Sequence, residues 1–230
     1  MESPTTLGQP LSDDAVGSAA LSVLARDGIT GLSFRRVGAE LGTSHMTVHR
    51  HCVNFDGLLN ICTEYLAARF PEIDPSLRWA TSIELRYTAL YETMSTHWEL
   101  LALLRGRPWV GPKMTSRFSE PALKTGLAAG LTPGQVMSAH RELYVYTVGC
   151  ALTHGVIIPN ETAVASIESL AAEDFPIIVE HREAILSTPH SDRDMFTHGL
   201  RTLIASWDPA DRRRRANHIP TAIHQRSGVR

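Results

Sequence analysis

Residues Leu32 to Cys52, LSFRRVGAELGTSHMTVHRHC, hold two short apolar-periodic stretches on either side of a glycine turn. Ser33 stands where a helix N-cap belongs, and Phe34, Val37 and Leu41 follow at helical spacing, which predicts a short helix from Phe34 to Leu41. Gly42-Thr43-Ser44 reads as a turn. The next helix, His45 to His51, is about two turns long and has Val48 as its main buried residue. A helix that short buries little area, so Val48 must dock it on its neighbours while the other side chains face outward.

The same logic extends in both directions. Ser12 caps a longer helix with Asp13 and Asp14 in its first turn, where the helix dipole favours negative charge. Val16, Ala19, Ala20, Val23 and Leu24 give it one apolar face, and Gly28 suits the left-handed residue after its end. Asn54 caps a fourth helix carrying Leu58, Leu59, Cys62, Tyr65 and Leu66 inward. Two short helices at a tight turn, braced by a longer one, form a helix-turn-helix.

Beyond Pro71 and Pro75 the spacing predicts helices over about residues 76–105, 113–130, 133–155, 162–186 and 191–207, with breaks near Pro108, Gly130, Pro133, Pro159 and Pro189. No alternating strand pattern stands out. The expected class is all-α: residues 1–11 flexible, a helix-turn-helix domain over 12–60, a larger helical domain over 61–208, and a basic, disordered tail over 209–230.

The 230 residues are 43% hydrophobic and 20% charged, with a net charge of -2, which describes a globular chain rather than a disordered one. No apolar run is long enough to span a bilayer, and the N-terminus has no signal-peptide pattern, so the expected location is cytoplasmic, with no membrane partner. The three cysteines, Cys52, Cys62 and Cys150, have no C-x-x-C spacing.

Three histidines and a cysteine in SHMTVHRHC raise the question of a metal. His45 and His49 share a helical face, but Met46 stands where a zinc hydrolase has Glu, and no third ligand lies near. No catalytic triad order, phosphate loop or paired catalytic carboxylates are found either. No catalytic residue, metal or cofactor is expected. On the outward face of a reading helix the same residues have a use. Ser44 and Thr47 can bond phosphates, Arg50 can fork onto guanine, Met46 can pack on a thymine methyl, and His45, His49 and His51 can reach phosphates or base edges. Ser33, Arg35 and Arg36 of the preceding helix lie near the backbone of the same groove.

The segment GITGLSFRRVGAELGTSHMTVHRHCVNFDGLL resembles the N-terminal domain of the tetracycline-repressor (TetR) family. The resemblance rests on Gly28, Leu32, Ser33, Arg35, Val37, Leu41, Gly42, Ser44, Thr47, Val48, His51, Asn54, Leu58 and Leu59 and covers about residues 12–66. Weaker likenesses lie in HWELLALLRGRPWVGP, YVYTVGCALTHG and FTHGLRTLIASW. The resemblance implies a homodimeric repressor that binds a palindromic double-stranded DNA operator and is released by a small, largely apolar inducer. Three positions depart from the family pattern: His49 replaces the usual Tyr, Phe55 the usual Lys, and Gly38 the usual Ala, the last loosening the second helix by about 1 kcal/mol. The first sixty residues carry four arginines and no lysine against six acidic side chains, a weak electrostatic footprint for DNA.

In the larger domain, Tyr87, Tyr91, Met94 and Trp98 form one helical stripe and His140, Tyr144 and Thr147 another; with Leu104 and Trp109 they are the expected ligand pocket. Ordinary core is the competing reading of each. Leu104 stands where the family's founder has a metal-ligand histidine, so tetracycline itself is not implied. Phe196, Gly199, Leu200, Leu203, Ile204 and Trp207 make a broad apolar face on the last helix, which the resemblance assigns to a dimer interface. Two rival functions stay open: a DNA-binding regulator without a small-molecule ligand, and a carrier or enzyme with a vestigial helix-turn-helix.

Overall fold

The computed structural model describes residues 10–104, 109, 111–155, 161–186 and 191–210. The expectations for residues 1–9, for the break at Gly106-Arg107-Pro108, for Pro159 and Pro189, and for the tail from residue 211 onward lie outside the described residues.

Among the described residues the elements are helical. α1 runs Asp13–Asp27, α2 Phe34–Glu40, α3 His45–Cys52 and α4 Phe55–Ala67. Each starts at the side chain the sequence nominates: Ser12, Ser33, Ser44 and Asn54 accept from the amides of Ala15, Arg36, Thr47 and Gly57. Val16, Ala20, Val23, Val37, Val48 and Leu58 form a fully buried centre where these four helices meet.

Gly38 has a structural use. A Cβ there would sit 2.9 Å from the Thr43 carbonyl oxygen and 3.2 Å from the His45 amide nitrogen. The missing methyl lets the turn close against α2, which offsets the lower helix propensity of glycine.

α5 (Trp79–Thr96) and α6 (Trp98–Leu104) follow, parted at His97. The helix expected over 113–130 is α7 (Pro112–Met114), a π turn (Thr115–Ser119) and α8 (Glu120–Ala128). The π turn has a cause. Pro121 has no N–H to give the Arg117 carbonyl, and Arg86 Nη1 donates to that oxygen instead, at 3.0 Å. α9 (Pro133–Leu152) starts with a capping box between Thr132 and Gln135. The helix expected over 162–186 is three pieces, α10 (Glu161–Glu168), α11 (Pro176–Glu180) and α12 (Arg182–Leu186); Pro176 accounts for the start of α11, and the break between α11 and α12 falls at His181. α13 (Asp192–Trp207) closes the order.

α5, α9 and α13 pack side by side and form the interior of the larger part. This corrects one expectation. The face of α13 read as a subunit interface is covered inside its own chain: Phe196, Leu200 and Ile204 are buried, and Leu203 and Trp207 are half-buried. Tyr91 stacks flat on Phe196 at 4.0 Å between ring centroids, and Trp207 Nε1 donates to Glu142 at 2.7 Å. Gly199 serves the same packing, since a Cβ there would collide with the Tyr146 hydroxyl. That hydroxyl sits 3.2 Å from the Met195 carbonyl oxygen and 3.3 Å from that of Phe196. Gly199→Ala should therefore expel Tyr146 and cost about 1–3 kcal/mol. A thermal melt should show Tm lowered by about 2–4 °C for each kcal/mol of stability removed.

Candidate nucleic-acid interface and ligand interior

The outward face of α3 is a by-product of how its inner face docks. Val48 and Cys52 are buried, so His45, Met46, Thr47, His49 and Arg50 are left in solvent. Ser44 and Thr47 spend their hydroxyls on each other at 2.9 Å, while Ser44 also caps the helix. Burial pushes the Cys52 thiol up to about 11 and the Cys62 thiol up to about 12, so both stay protonated at neutral pH.

The cations here differ in availability. Arg36 pairs with Asp27 at 2.9 Å, and Arg26 pairs with Asp27 at 3.2 Å and with Glu40 at 2.7 Å. His51 lies 2.7 Å from the Asp13 carboxylate at the start of α1. Arg35 and Arg50 are exposed and have no ion-pair partner among the described residues. The structure thus brings Arg50, His45, Met46, Thr47 and His49 onto one outward face and ties Arg36 and His51 to carboxylates.

Inside the larger part, the expected pocket residues fall into two groups. Tyr87 is fully buried, and its hydroxyl lies 2.8 Å from His140 Nδ1 and 3.0 Å from the His140 carbonyl oxygen. Donating to the carbonyl and accepting from Nδ1–H uses the hydroxyl once each way and leaves Nε2 as an acceptor. Burial holds His140 below the usual imidazole range, so it is neutral at pH 7, and pushes Tyr87 and Tyr144 up. The Trp109 amide donates to the Tyr144 hydroxyl at 3.1 Å. The buried Trp109 Nε1 and Ser82 hydroxyl have no protein partner among the described residues. Phe118, which sequence reasoning missed, packs edge-on against Tyr87 with centroids 5.1 Å apart. The space bounded by Trp79, Ile83, Tyr87, His140 and Leu143 amounts to only about 10 Å³.

Tyr91 belongs to the second group, with its hydroxyl 2.9 Å from His154 Nδ1. Thr147 is buried and donates to the Leu143 carbonyl, and Met94 and Leu104 are buried apolar core. Trp98 departs from the expectation: the helix breaks at His97, the four-residue spacing no longer aligns it with Met94, and it is 52% exposed. A larger open groove of about 460 Å³ is lined by Trp79, Ala129 and the ion-paired Arg78 and Asp208.

Besides the packing of α6 on α1 and α4, a side-chain clasp links the two parts. Glu64 of α4 accepts from the backbone amides of Lys113, at 2.7 Å, and Met114, at 3.2 Å. Its carboxylate thereby caps the start of α7, a few residues after Trp109.

No family model matches the chain. It is 30% identical over 145 residues to the HTH-type transcriptional repressor DrrR1 of Streptomyces coeruleorubidus and 28% identical over 149 residues to an HTH-type transcriptional regulator of Saccharopolyspora erythraea. Those matches cover 61% and 64% of this chain, and the chain spans 53% and 62% of the lengths of the two relatives. Among solved structures, the TetR family protein ActR of Streptomyces coelicolor, in complex with (S)-DNPA, superposes with a TM-score of 0.72 at 26% identity. That likeness covers 87% of this chain and 98% of ActR. The chain shares the fold of this TetR family protein. ActR in complex with actinorhodin is similar too, with a TM-score of 0.71, 25% identity, and 87% and 96% of the two chains covered.

The helix-turn-helix carries aromatic contacts at two positions where the resembled family pattern has other residues. His49, in the place of the family's usual Tyr, meets Phe34 edge-on with centroids 5.0 Å apart. Phe55, in the place of the usual Lys, meets the other side of Phe34 at 6.5 Å. The two substitutions thus form one aromatic row bridging α2, α3 and α4, and they keep α3 seated where its few buried residues would hold it weakly.

Proposed function

We propose that this chain is a ligand-responsive transcriptional repressor that binds a palindromic operator as a homodimer and is released by a small, largely apolar inducer. Residues 12–60 are the DNA-binding head and 61–208 the ligand-binding and dimerisation body, with α4 shared. The observation that carries the reading is the outward face of α3, where Arg50, His45, Met46, Thr47 and His49 stand exposed above a buried Val48. Arg35 of α2 adds a cation without an ion-pair partner among the described residues. The relatives named as HTH-type transcriptional repressor and regulator, and the TetR family protein ActR seen with two small molecules, support the same reading.

DNA demands that the two reading helices of a dimer sit about 34–36 Å apart, one helical turn. A ligand that favours another spacing must weaken operator binding by the same factor by which DNA weakens ligand binding. The neutral interior around Tyr87, His140 and Tyr144, with Trp109 Nε1 unpartnered among the described residues, suits an aromatic or apolar molecule carrying at least one hydrogen-bond acceptor. Glu64 is the route out: movement of the chain after Trp109 pulls on α4 through the Lys113 and Met114 amides. The narrowness beside Tyr87 favours one second reading, a DNA-binding regulator without small-molecule ligand.

Selection of bound duplexes from a random pool tests the first part, with a palindrome whose half-sites lie one helical turn apart as the expected product. A thermal-shift screen of aromatic metabolites then separates the two readings. Compounds that raise Tm and release the selected duplex support the inducer. Recovery of a palindrome that no stabilising compound releases supports the ligand-free regulator.

A further inference from the structure

The described residues 10–60 expose three large hydrophobics, Met46 at 52%, Val53 at 71% and Phe55 at 37%, and all three lie on α3 or just after it. Phe55 has a neighbour in the Phe34 ring, and Val53 sits in the turn at φ 69°. Met46 stands on the helix itself. At about 100° per residue, Met46 and Arg50 each lie about 160° around α3 from the buried Val48, one on either side. They form the outermost ridge of the helix, one turn apart. The other side chains of this region are engaged or turned away. The hydroxyls of Ser44 and Thr47 bond each other at 2.9 Å. His49 leans edge-on against Phe34, with centroids 5.0 Å apart, and His51 lies 2.7 Å from the Asp13 carboxylate. His45 is only about 60° from Val48 around the helix, off the ridge.

We infer that Met46 is a specificity-determining residue that reads thymine: in each half-site its side chain packs on a thymine C5 methyl, within one or two base pairs of the pair that Arg50 faces. The inference rests on the DNA-binding reading above and adds a base which that reading leaves open. Chemistry narrows what Met46 can meet. A thioether has no N–H or O–H to give and is only a weak acceptor, so it has little to offer a phosphate or the polar base edges. The methyl of thymine is the apolar group that the major groove displays. An unbranched, polarisable side chain follows such a target readily. The spacing comes from the helix, since four residues rise about 6 Å, close to two base-pair steps of about 3.4 Å. Charge favours the same division of labour. The first sixty residues hold four arginines against six acidic side chains, and Arg26 and Arg36 are already ion-paired. A head with so few free cations gains less from phosphates and depends more on base edges.

The test uses the full chain and the duplex selected from the random pool. Each thymine is replaced in turn by deoxyuridine, which deletes the methyl and keeps every hydrogen-bonding group of the base. Wild type should lose about fourfold in affinity at one thymine of each half-site, the effect of one buried methyl, and little at the others. Met46→Ala should bind the thymine and uracil forms of that duplex alike. Met46→Gln, similar in length but polar at its end, should lose the preference as well, so the inference stays testable even if one variant misfolds. Met46 is exposed, so circular dichroism of both variants should match wild type. A wild type indifferent to every uracil overturns the inference and leaves the DNA-binding reading standing. A preference that survives both substitutions unchanged assigns the methyl to another residue and overturns it too. If no duplex is selected at all, the DNA-binding reading falls and this inference falls with it.

Discussion

Replacing Arg50 with alanine should weaken binding to the selected duplex by about 1–3 kcal/mol, roughly ten- to a hundredfold, while Arg36→Ala changes it little. The two arginines sit fourteen residues apart on adjacent helices, and sequence alone makes both of them DNA contacts, Arg50 at a guanine and Arg36 near the backbone. The structure separates them. Arg36 already holds Asp27 at 2.9 Å, and Arg26 and Arg36 together keep that carboxyl below the usual carboxylate range. To reach DNA, Arg36 would first have to leave a partner. Arg50 is exposed with no ion-pair partner among the described residues. It has only its own side-chain entropy to lose when it binds.

Fluorescence anisotropy at several salt concentrations would also show what Arg50 touches. If Arg50 reads a base, Arg50→Ala leaves the salt slope unchanged and relaxes specificity at one base pair. If it holds a phosphate, the substitution lowers the slope by about 0.9 and weakens all duplexes alike. Equal effects of Arg36→Ala and Arg50→Ala would mean that the ion pair with Asp27 does not decide availability.

How much of this could be read from the residues divides along a physical line. The caps at Ser12, Ser33, Ser44 and Asn54 were legible because a cap is a local contact over three residues. The outward face of α3 was legible for a similar reason, since one apolar position in two turns fixes which side docks. The apolar stripe of α13 was legible as buried, but periodicity cannot tell whether a subunit or the same chain buries it. Phe196, Leu200 and Ile204 turned out to be covered by the same chain. The break at His97 has no glycine or proline to announce it, so Trp98 was placed on a stripe it does not share. Within the helix expected over 162–186, Pro176 announces the start of α11, and a stricter rule for interior proline would have placed a break before it, whereas the break at His181 has no proline or glycine to mark it. The pairing of Arg36 with Asp27 and the capping of α7 by Glu64 join residues separated in the chain, and no local pattern carries them.

Removing that last contact should uncouple the inducer from the operator. Glu64→Ala takes away the carboxylate that accepts from the Lys113 and Met114 amides, which then open the first turn of a helix without that cap. Hydrogen bonds to a charged acceptor contribute about 1.5–3 kcal/mol each, and a ligand-driven coupling is of the order of 1–3 kcal/mol, so one such clasp is large enough to carry all of it. The expected signature has three parts. The Lys113 and Met114 amides exchange with solvent faster. Ligand affinity in the absence of DNA stays within a few-fold, because Glu64 lies on α4 and away from Tyr87 and His140. The ratio of operator affinities without and with saturating inducer falls toward one. Glu64→Gln should lie between alanine and wild type, since its amide oxygen still accepts one bond but no longer brings charge to the helix start. Gly111 gives an independent handle on the same joint: a Cβ there would collide with the Glu64 carboxylate, so Gly111→Ala should push the clasp apart while Glu64 is kept. If both Glu64→Ala and Gly111→Ala leave the affinity ratio intact while amide exchange rises, the clasp is only a staple for stability, and the signal between ligand and DNA travels through the packing of α6 on α1 and α4 instead.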